Sequence, residues 1–336
     1  MIEDTHVTLA HGNGGRRMRE LIEEIFARHL ANPSLDIKLD AVPLDLAPGL
    51  VPYITTDTFT VQPLEFPGGD IGSLAVNGTV NDLAVAGAEP RFLTLSAIIE
   101  EGLEVDCLDR IVRSLAEAAR AAGVRVVAGD TKVVPRGQGG GLYFATTGVG
   151  LRASGHQLGF NRIHQGDVVL VSGPAGDHGI AVMLAREQFE LKGSVQSDCA
   201  AVTPLTAPLA GMAGLRFMRD PTRGGVATVA HEIAAATGLD VRLIEAHVPV
   251  RDSVRSFCQM LGYDPYYLAC EGRVIAVAAP DATSDILAIW RGIKGGEAAS
   301  VIGTLCAGKG RVILETEIGG ERFLEELEDD PLPRIC

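Results

Sequence analysis

Four aspartates stand beside apolar runs in this chain: Asp57 in Thr55-Thr56-Asp57, Asp82 in Asn81-Asp82-Leu83-Ala84, Asp130 in Gly129-Asp130-Thr131-Lys132, and Asp220 in Asp220-Pro221-Thr222-Arg223-Gly224-Gly225. Carboxylates at the ends of apolar segments are the hard oxygen donors that Mg²⁺ takes, usually one or two of them shared with nucleotide phosphates. Singly, each is equally the residue that caps and turns prefer; their joint occurrence is what points to a metal. Lys132 follows the apolar run 125–128 and a Gly-Asp pair, which would present either a cation at a strand end or a solvated lysine. Glu271, between Cys270 and Gly272 and ahead of the run 273–278, would be partly desolvated and raised toward base function. The segment His11-Gly12-Asn13-Gly14-Gly15-Arg16-Arg17 precedes a helical pattern of Met18, Leu21, Ile22, Ile25 and Phe26. Its backbone reads as an anion-binding helix start or as a flexible turn with its cap. It is no dinucleotide fingerprint, because Arg17 stands where that motif needs glycine, and the run 173–179 lacks the Lys-Ser/Thr of a P-loop.

The sequence closes on Pro331-Leu332-Pro333-Arg334-Ile335-Cys336. Two prolines preclude a helix there, and six extended residues reach about 20 Å. Arg334 offsets the terminal carboxylate, whose charge would otherwise disfavour a thiolate. Cys336 is therefore a swinging nucleophile or an oxidisable bystander. The other cysteines, Cys107, Cys199, Cys258, Cys270 and Cys306, are scattered without a CxxC pair, so neither a zinc site nor a disulfide framework is suggested and reduced thiols are expected.

The elements that must position these groups follow from the hydrophobic pattern. In the first half, apolar β-rich runs and helical patterns alternate over 53–61, 71–86, 92–98, 107–122, 124–128 and 142–149. In the 107–122 helix, Asp106 is the expected N-cap, Leu108, Ile111, Val112, Leu115 and Ala119 share one face, and Gly123 ends it. After a connection over 151–165, a second lobe is expected from Asp167: a strand at 168–171, a loop at 173–179 running into a helix, helices near 226–236 and 254–261, and strands at 273–278 and 312–315. An acidic helical stretch is expected over 321–330. The fold class is thus α/β (α+β) in two domains, 1–155 and 156–318, with a tail at 319–336. A chain of 336 residues, 46% hydrophobic and 21% charged, can build two such cores. Its net charge of −14 disfavours nucleic acid, and the lack of a signal segment or a spanning apolar stretch implies no membrane and a cytoplasmic location.

Across almost its whole length the chain resembles the HypE family of hydrogenase maturation proteins, within the superfamily of aminoimidazole ribonucleotide synthetase and selenophosphate synthetase. The resemblance rests on the His11 segment, the block from Asp70-Ile71-Gly72-Ser73 to Glu89-Pro90, the motifs Gly129-Asp130-Thr131-Lys132 and Asp220-Pro221-Thr222-Arg223-Gly224-Gly225, and terminal Pro333-Arg334-Ile335-Cys336. It implies a two-domain synthetase-like fold that pairs as a homodimer through its N-terminal halves, with ATP and Mg²⁺ bound. It implies ATP contacts from Gly12, Asn13, Gly14, Gly15, Thr56, Asn81, Asp130, Thr131, Thr222, Arg223, Gly224 and Gly225, and metal ligation by Asp57, Asp82 and Asp220. The carbamoyltransferase HypF would load a carbamoyl group onto Cys336. ATP-driven dehydration, with Lys132 or Glu271 as base, would convert it to S-cyanocysteine, and the HypC-HypD complex would accept the cyanide. Two rivals remain at this level. Selenophosphate synthetase uses a cysteine or selenocysteine beside an N-terminal glycine-rich loop, whereas this chain has none before Cys107. A non-catalytic carrier of a modified cysteine would keep the fold without turnover.

Overall fold

The computed structural model describes residues 5–12, 20–33, 35, 49–155, 158–187 and 195–327. They divide into two compact units. One holds the described residues as far as Leu83 together with Ala88–Ser154, and the other holds Ala84–Gly87 and the described residues from Gly155 on.

Among the described residues the first unit has a four-stranded sheet, two long helices, a short helical stretch over 20–30 and a small ribbon pairing Glu65–Phe66 with Gly69–Asp70. The strands of the sheet are β1 (Leu50–Phe59), β2 (Glu89–Glu100), β3 (Arg125–Val134) and β4 (Leu142–Ala153), in the order β1-β4-β2-β3. Only β2 and β3 run parallel, and α2 (Val105–Ala121) links them as a crossover helix. Leu93, Leu95, Ala97 and Ile99 of β2 are buried, while Ser96 and Ile98, which point to the other face, are exposed. Helix α1 (Ile71–Val85) is buried almost all round, its polar Asn77, Thr79 and Asn81 included.

Helix α2 buries the face expected of it, including Leu108, Ile111, Val112, Leu115 and Ala119, and Gly123 follows it with φ +71°. Its N-cap is Glu104 rather than Asp106, which lies in the first turn. The Gly-Asp pair at 129–130 is not a turn. Strand β3 continues through Lys132 to Val134, because Gly129 lets the backbone come in against the Leu95 carbonyl, 2.6 Å from where a Cβ would stand. Lys132 therefore sits within a strand rather than past its end.

In the second unit seven strands form one sheet: β5 (Val168–Val171), β6 (Leu215–Arg219), β7 (Asp240–Ile244), β8 (Ile275–Ala278), β9 (Ser300–Cys306), β10 (Val312–Glu315) and β11 (Glu321–Phe323), in the order β11-β10-β7-β9-β5-β8-β6. Both faces are packed. Val169, Val171, Ile275 and Val277 join α4 (Gly225–Thr237) in one cluster, while Leu170 and Ala276 join Trp290 of α6 (Thr283–Arg291) in another. Helices α3 (Asp177–Glu187) and α5 (Asp252–Leu261) complete the unit. The acidic stretch expected to be helical begins instead as strand β11, paired with β10 through Ile313 and Phe323, and no helix forms over 324–327. Leu324 accounts for the difference: it is buried at 1% exposure, and its N–H reaches the Val312 carbonyl. A strand places one side chain inward without requiring an apolar stripe among the acidic residues.

Candidate active site

In the first unit, the alternation of β1 directs Thr55, Asp57 and Phe59 to the helix side and Ile54, Thr56 and Thr58 to the open side. The Thr55 hydroxyl donates to Asp82 Oδ2 at 2.7 Å. Asp57 Oδ2 lies over Gly78, 3.9 Å from its Cβ position, where the Phe59 ring stands at 2.8 Å; a side chain at 78 would push β1 off the helix. Thr55 and Asp57 are two residues apart on a strand, and Gly78 and Asp82 one turn apart on a helix. Asp57 and Asp82 thus occupy neighbouring positions along one groove. Neither is at the end of its segment, contrary to the sequence expectation: Asp57 lies within β1 and Asp82 within α1.

Asn81 and Thr131 are buried. The Thr131 N–H is held at 2.9 Å by Asp130, whose residue is exposed. Thr56 donates to the Thr146 carbonyl at 3.0 Å on the open face. Lys132 shares that face, opposite Ile98 in the β2–β3 register, so the sheet separates it from Asp57. His11 is buried, and its Nδ1 accepts the Thr8 N–H at 3.1 Å. Gly12 closes the short turn Leu9–Gly12, which packs on β3. Asn13, Gly14 and Gly15 lie outside the described residues, as does Cys336. Beside β3, a cavity of about 100 Å³ is lined by Phe26, Leu30, Leu95 and Val126, with Asp130 and Thr131 at its polar side.

In the second unit, Asp220 follows β6, and the 220–225 loop turns through Thr222 N–H to Asp220 O and Gly225 N–H to Thr222 O, at 3.0 and 2.9 Å. Arg223 is exposed and Gly224 buried. Gly225, at φ +57°, begins α4, and a Cβ there would meet the Leu268 carbonyl at 2.5 Å. The Cys270 N–H reaches the Pro221 carbonyl at 3.0 Å. The glycine motif and Glu271 are therefore neighbours. Glu271 is 5% exposed, its N–H is held by Asp198 Oδ1 at 3.0 Å, and its carbonyl accepts from Ala200 N–H. The apolar strand expected from Arg273 begins only at Ile275, because Arg273 enters a buried ion cluster. Its guanidinium lies 3.3 Å from Asp198 and 3.5 Å from Asp177, and Arg251 meets Asp177 at 2.8 Å. Burial raises the Asp198 pKa above the usual carboxylate range, with Arg273 opposing. No sequence pattern pointed to Asp177, Asp198 or Arg251; only an arginine heading an apolar run hinted that Arg273 needed partners.

The cysteines differ in reactivity. Burial pushes the thiols of Cys107 and Cys270 up, and that of Cys258 to about 11, so none of these three is a ready thiolate. All five described cysteines are free. Among the described residues no three His, Cys, Asp or Glu side chains converge as metal ligands, and Asp220 belongs to the other unit from Asp57 and Asp82. Mg²⁺ commonly needs only one or two protein carboxylates beside phosphate oxygens, and Asp57 with Asp82 supply that donor set.

The chain matches the model of AIR synthase related protein, N-terminal domain, over residues 39–152 and that of the C-terminal domain over 164–315. It is 45% identical over 332 residues to carbamoyl dehydratase HypE of Azotobacter vinelandii, covering 98% of this chain and 97% of that one. The chain belongs to the HypE family. A crystal structure of hydrogenase maturation protein HypE in complex with ATP superposes with a TM-score of 0.93 at 42% identity, covering 98% of this chain and 99% of that one. The HypE chain from a HypE-HypF complex gives 0.80 at 42% identity, with 91% and 99% covered. These likenesses establish the two-domain AIR-synthase-related fold.

Proposed function

We propose that this chain is an ATP-dependent carbamoyl dehydratase of hydrogenase maturation, converting an S-carbamoyl group on Cys336 to S-cyanocysteine. The observation that carries this reading is the full-length likeness, at 42–45% identity, to proteins named carbamoyl dehydratase HypE and to a HypE bound to ATP. The raised thiols of Cys107, Cys258 and Cys270 favour a nucleophile elsewhere, and Cys336 on its Pro-x-Pro-Arg tether is the one proposed.

The carbamoyl oxygen is a poor leaving group, and phosphorylation makes it a good one. That oxygen attacks the γ-phosphorus and ADP leaves. Expulsion of phosphate then takes the oxygen away, two N–H protons are lost, and S–C≡N remains. We assign proton removal to Glu271, whose burial and clamped backbone fix a carboxylate beside the glycine motif; exposed Lys132 is the alternative. Thr222, Arg223 and the Gly224-Gly225 start of α4 suit phosphate, and Gly12, Asn13, Gly14, Gly15, Thr56, Asn81, Asp130 and Thr131 are the proposed ATP contacts of the first unit. Asp57 and Asp82 would hold Mg²⁺, which supplies charge neutralisation for phosphate. HypF is the proposed carbamoyl donor and HypC-HypD the proposed cyanide acceptor, in the cytoplasm. Exposed Ile54 and Ile98 on the open sheet face favour a homodimer through that face.

Intact mass after incubation with HypF, carbamoyl phosphate and ATP tests the reading. A carbamoyl adduct should form and then lose one water, and both changes should vanish in Cys336→Ala. An adduct that persists despite bound ATP would make the chain a carrier instead. Glu271→Gln should slow dehydration at least a hundredfold; if it does not and Lys132→Met does, the lysine is the base.

A further inference from the structure

The last described residues, 324–327, leave β11 and cross the surface beside the glycine motif. Leu324 is buried among the side chains of α4 and β10. His231 Nε2 lies 2.8 Å from the Leu324 carbonyl, and since a carbonyl can only accept, that nitrogen carries the proton and donates. The Tyr267 hydroxyl donates to the Glu325 carbonyl at 2.7 Å. Leu327 Cδ1 comes within 3.4 Å of the Cβ position of Gly224. Tyr267 stands on the segment that faces Gly225, whose Cβ position is 2.6 Å from the Tyr266 carbonyl. Two backbone carbonyls of an otherwise irregular segment are thus each held by a side chain of the unit's body. Main-chain carbonyls on a surface run would ordinarily face water; here they are tied down just ahead of the motif's own contact at Leu327.

We infer that His231 and Tyr267 are positioning residues that fix the origin of the thiol tether at the Gly224 turn. The inference rests on the proposed use of Cys336. Nine residues follow Leu327 up to and including Cys336, a length of chain that reaches at most about 30 Å. Together with the burial of Leu324 and its N–H to the Val312 carbonyl, the two hydrogen bonds keep that number at nine. Releasing residues 324–327 makes the tether thirteen residues long, and effective concentration falls as about the −3/2 power of length, a loss of roughly twofold before any loss of direction.

The test uses the full chain. Single-turnover dehydration of the carbamoylated protein should slow at least about twofold in the Tyr267→Phe, His231→Gln double variant. Four Gly/Ser residues inserted after Leu327, in the chain with both side chains intact, should slow it by a similar factor. With Cys336→Ala in the background, dehydration of an S-carbamoylated Pro331-to-Cys336 peptide supplied in trans should be the same with and without the double substitution. Unchanged turnover in cis overturns the inference, and equal losses in cis and in trans overturn it in favour of a role within the site. A glutamate-specific protease provides a readout that does not need turnover. Cleavage after Glu325 and Glu326 should quicken in the double variant, and an unchanged rate would show that these side chains hold nothing. If the unsubstituted chain does not dehydrate its adduct, the proposed function fails, and the protease result still decides whether the clamp exists.

Discussion

In the second unit, β5 alternates Val169 and Val171 with Leu170, β8 alternates Ile275 and Val277 with Ala276, and every one of these side chains is buried. In the first unit, Ile54 of β1 is 75% exposed and Ile98 of β2 is 40% exposed, on strands whose opposite faces are packed. A sheet buried on both sides can place functional groups only where its strands end or in the loops that leave them, and there the second unit carries Asp220, the glycine motif and Glu271. A sheet open on one side can carry them within its strands, as at Lys132 on the open face, while Asp57 on the other face meets the groove along α1. The difference also sets how a charge is kept: Arg273 is buried between two carboxylates, whereas Lys132 stands in the open.

The largest expected effect follows from that last contrast. Arg273→Met leaves Asp198 buried without its cation and Asp177 with Arg251 alone, which should cost about 3–5 kcal/mol. Lys132→Met, at an exposed strand position, should shift stability by less than about 0.5 kcal/mol, whatever it does to turnover. Urea midpoints of the two variants would read this directly. Similar shifts in both would mean that the ion cluster is not what holds the 270–273 segment.

His178 gives the next effect. It is wholly buried in α3, its Nδ1 lies 2.8 Å from the Ser197 hydroxyl, and burial lowers its pKa to about 3. An unfolded histidine titrates near 6.5, so below about that pH the unfolded chain takes up a proton that the folded chain refuses. The contribution is complete above about pH 6.5 and drains away as the pH falls toward about 3, by about 1.4 kcal/mol per unit. Asp198 works in the opposite sense, because its raised pKa favours protonation in the folded state. Comparing His178→Gln with the unsubstituted chain by urea unfolding at pH 7, 6 and 5 isolates the histidine. The variant should lose this part of the slope, and identical slopes would sink the assignment.

What was legible in the sequence follows the same division. Local apolar patterns gave α2, β5, α4 and β10 to within a residue or two, because each buries a face on a simple period. The pairing of Glu271 with the 220–225 motif was not legible, since it depends on the Cys270 N–H meeting the Pro221 carbonyl across about 50 residues of chain. Gly129-Asp130 read as a turn with Lys132 beyond the strand end, because Gly-Asp is common in turns, and only the parallel neighbour β2 reveals a continuous strand. The run from Glu321 read as helix from its charge, yet a single buried Leu324 and a free edge on β10 decided for a strand. The groove that brings Asp57 to Asp82 needed Gly78, a glycine within a helix whose reason is visible only when Phe59 lies over it.

The smallest expected effect on the isolated chain concerns the open face itself. Ile54→Asp changes a side chain that no packed neighbour needs, so a chain kept monomeric by dilution should unfold within about 0.5 kcal/mol of the unsubstituted one. Val277→Asp buries an unpaired carboxylate in the second sheet and should cost several kcal/mol. The same Ile54→Asp change should nonetheless weaken the proposed pairing sharply. In a symmetric dimer it removes two buried isoleucines, each worth about 1.5–3 kcal/mol, and it adds two charges to an apolar seam. Sedimentation over a range of concentrations should show the dissociation constant rising more than a hundredfold while the unfolding midpoint of the monomer stays put. An unchanged constant would mean that the face is covered by something other than a second copy, and a shifted monomer midpoint would mean that the face is not open at all.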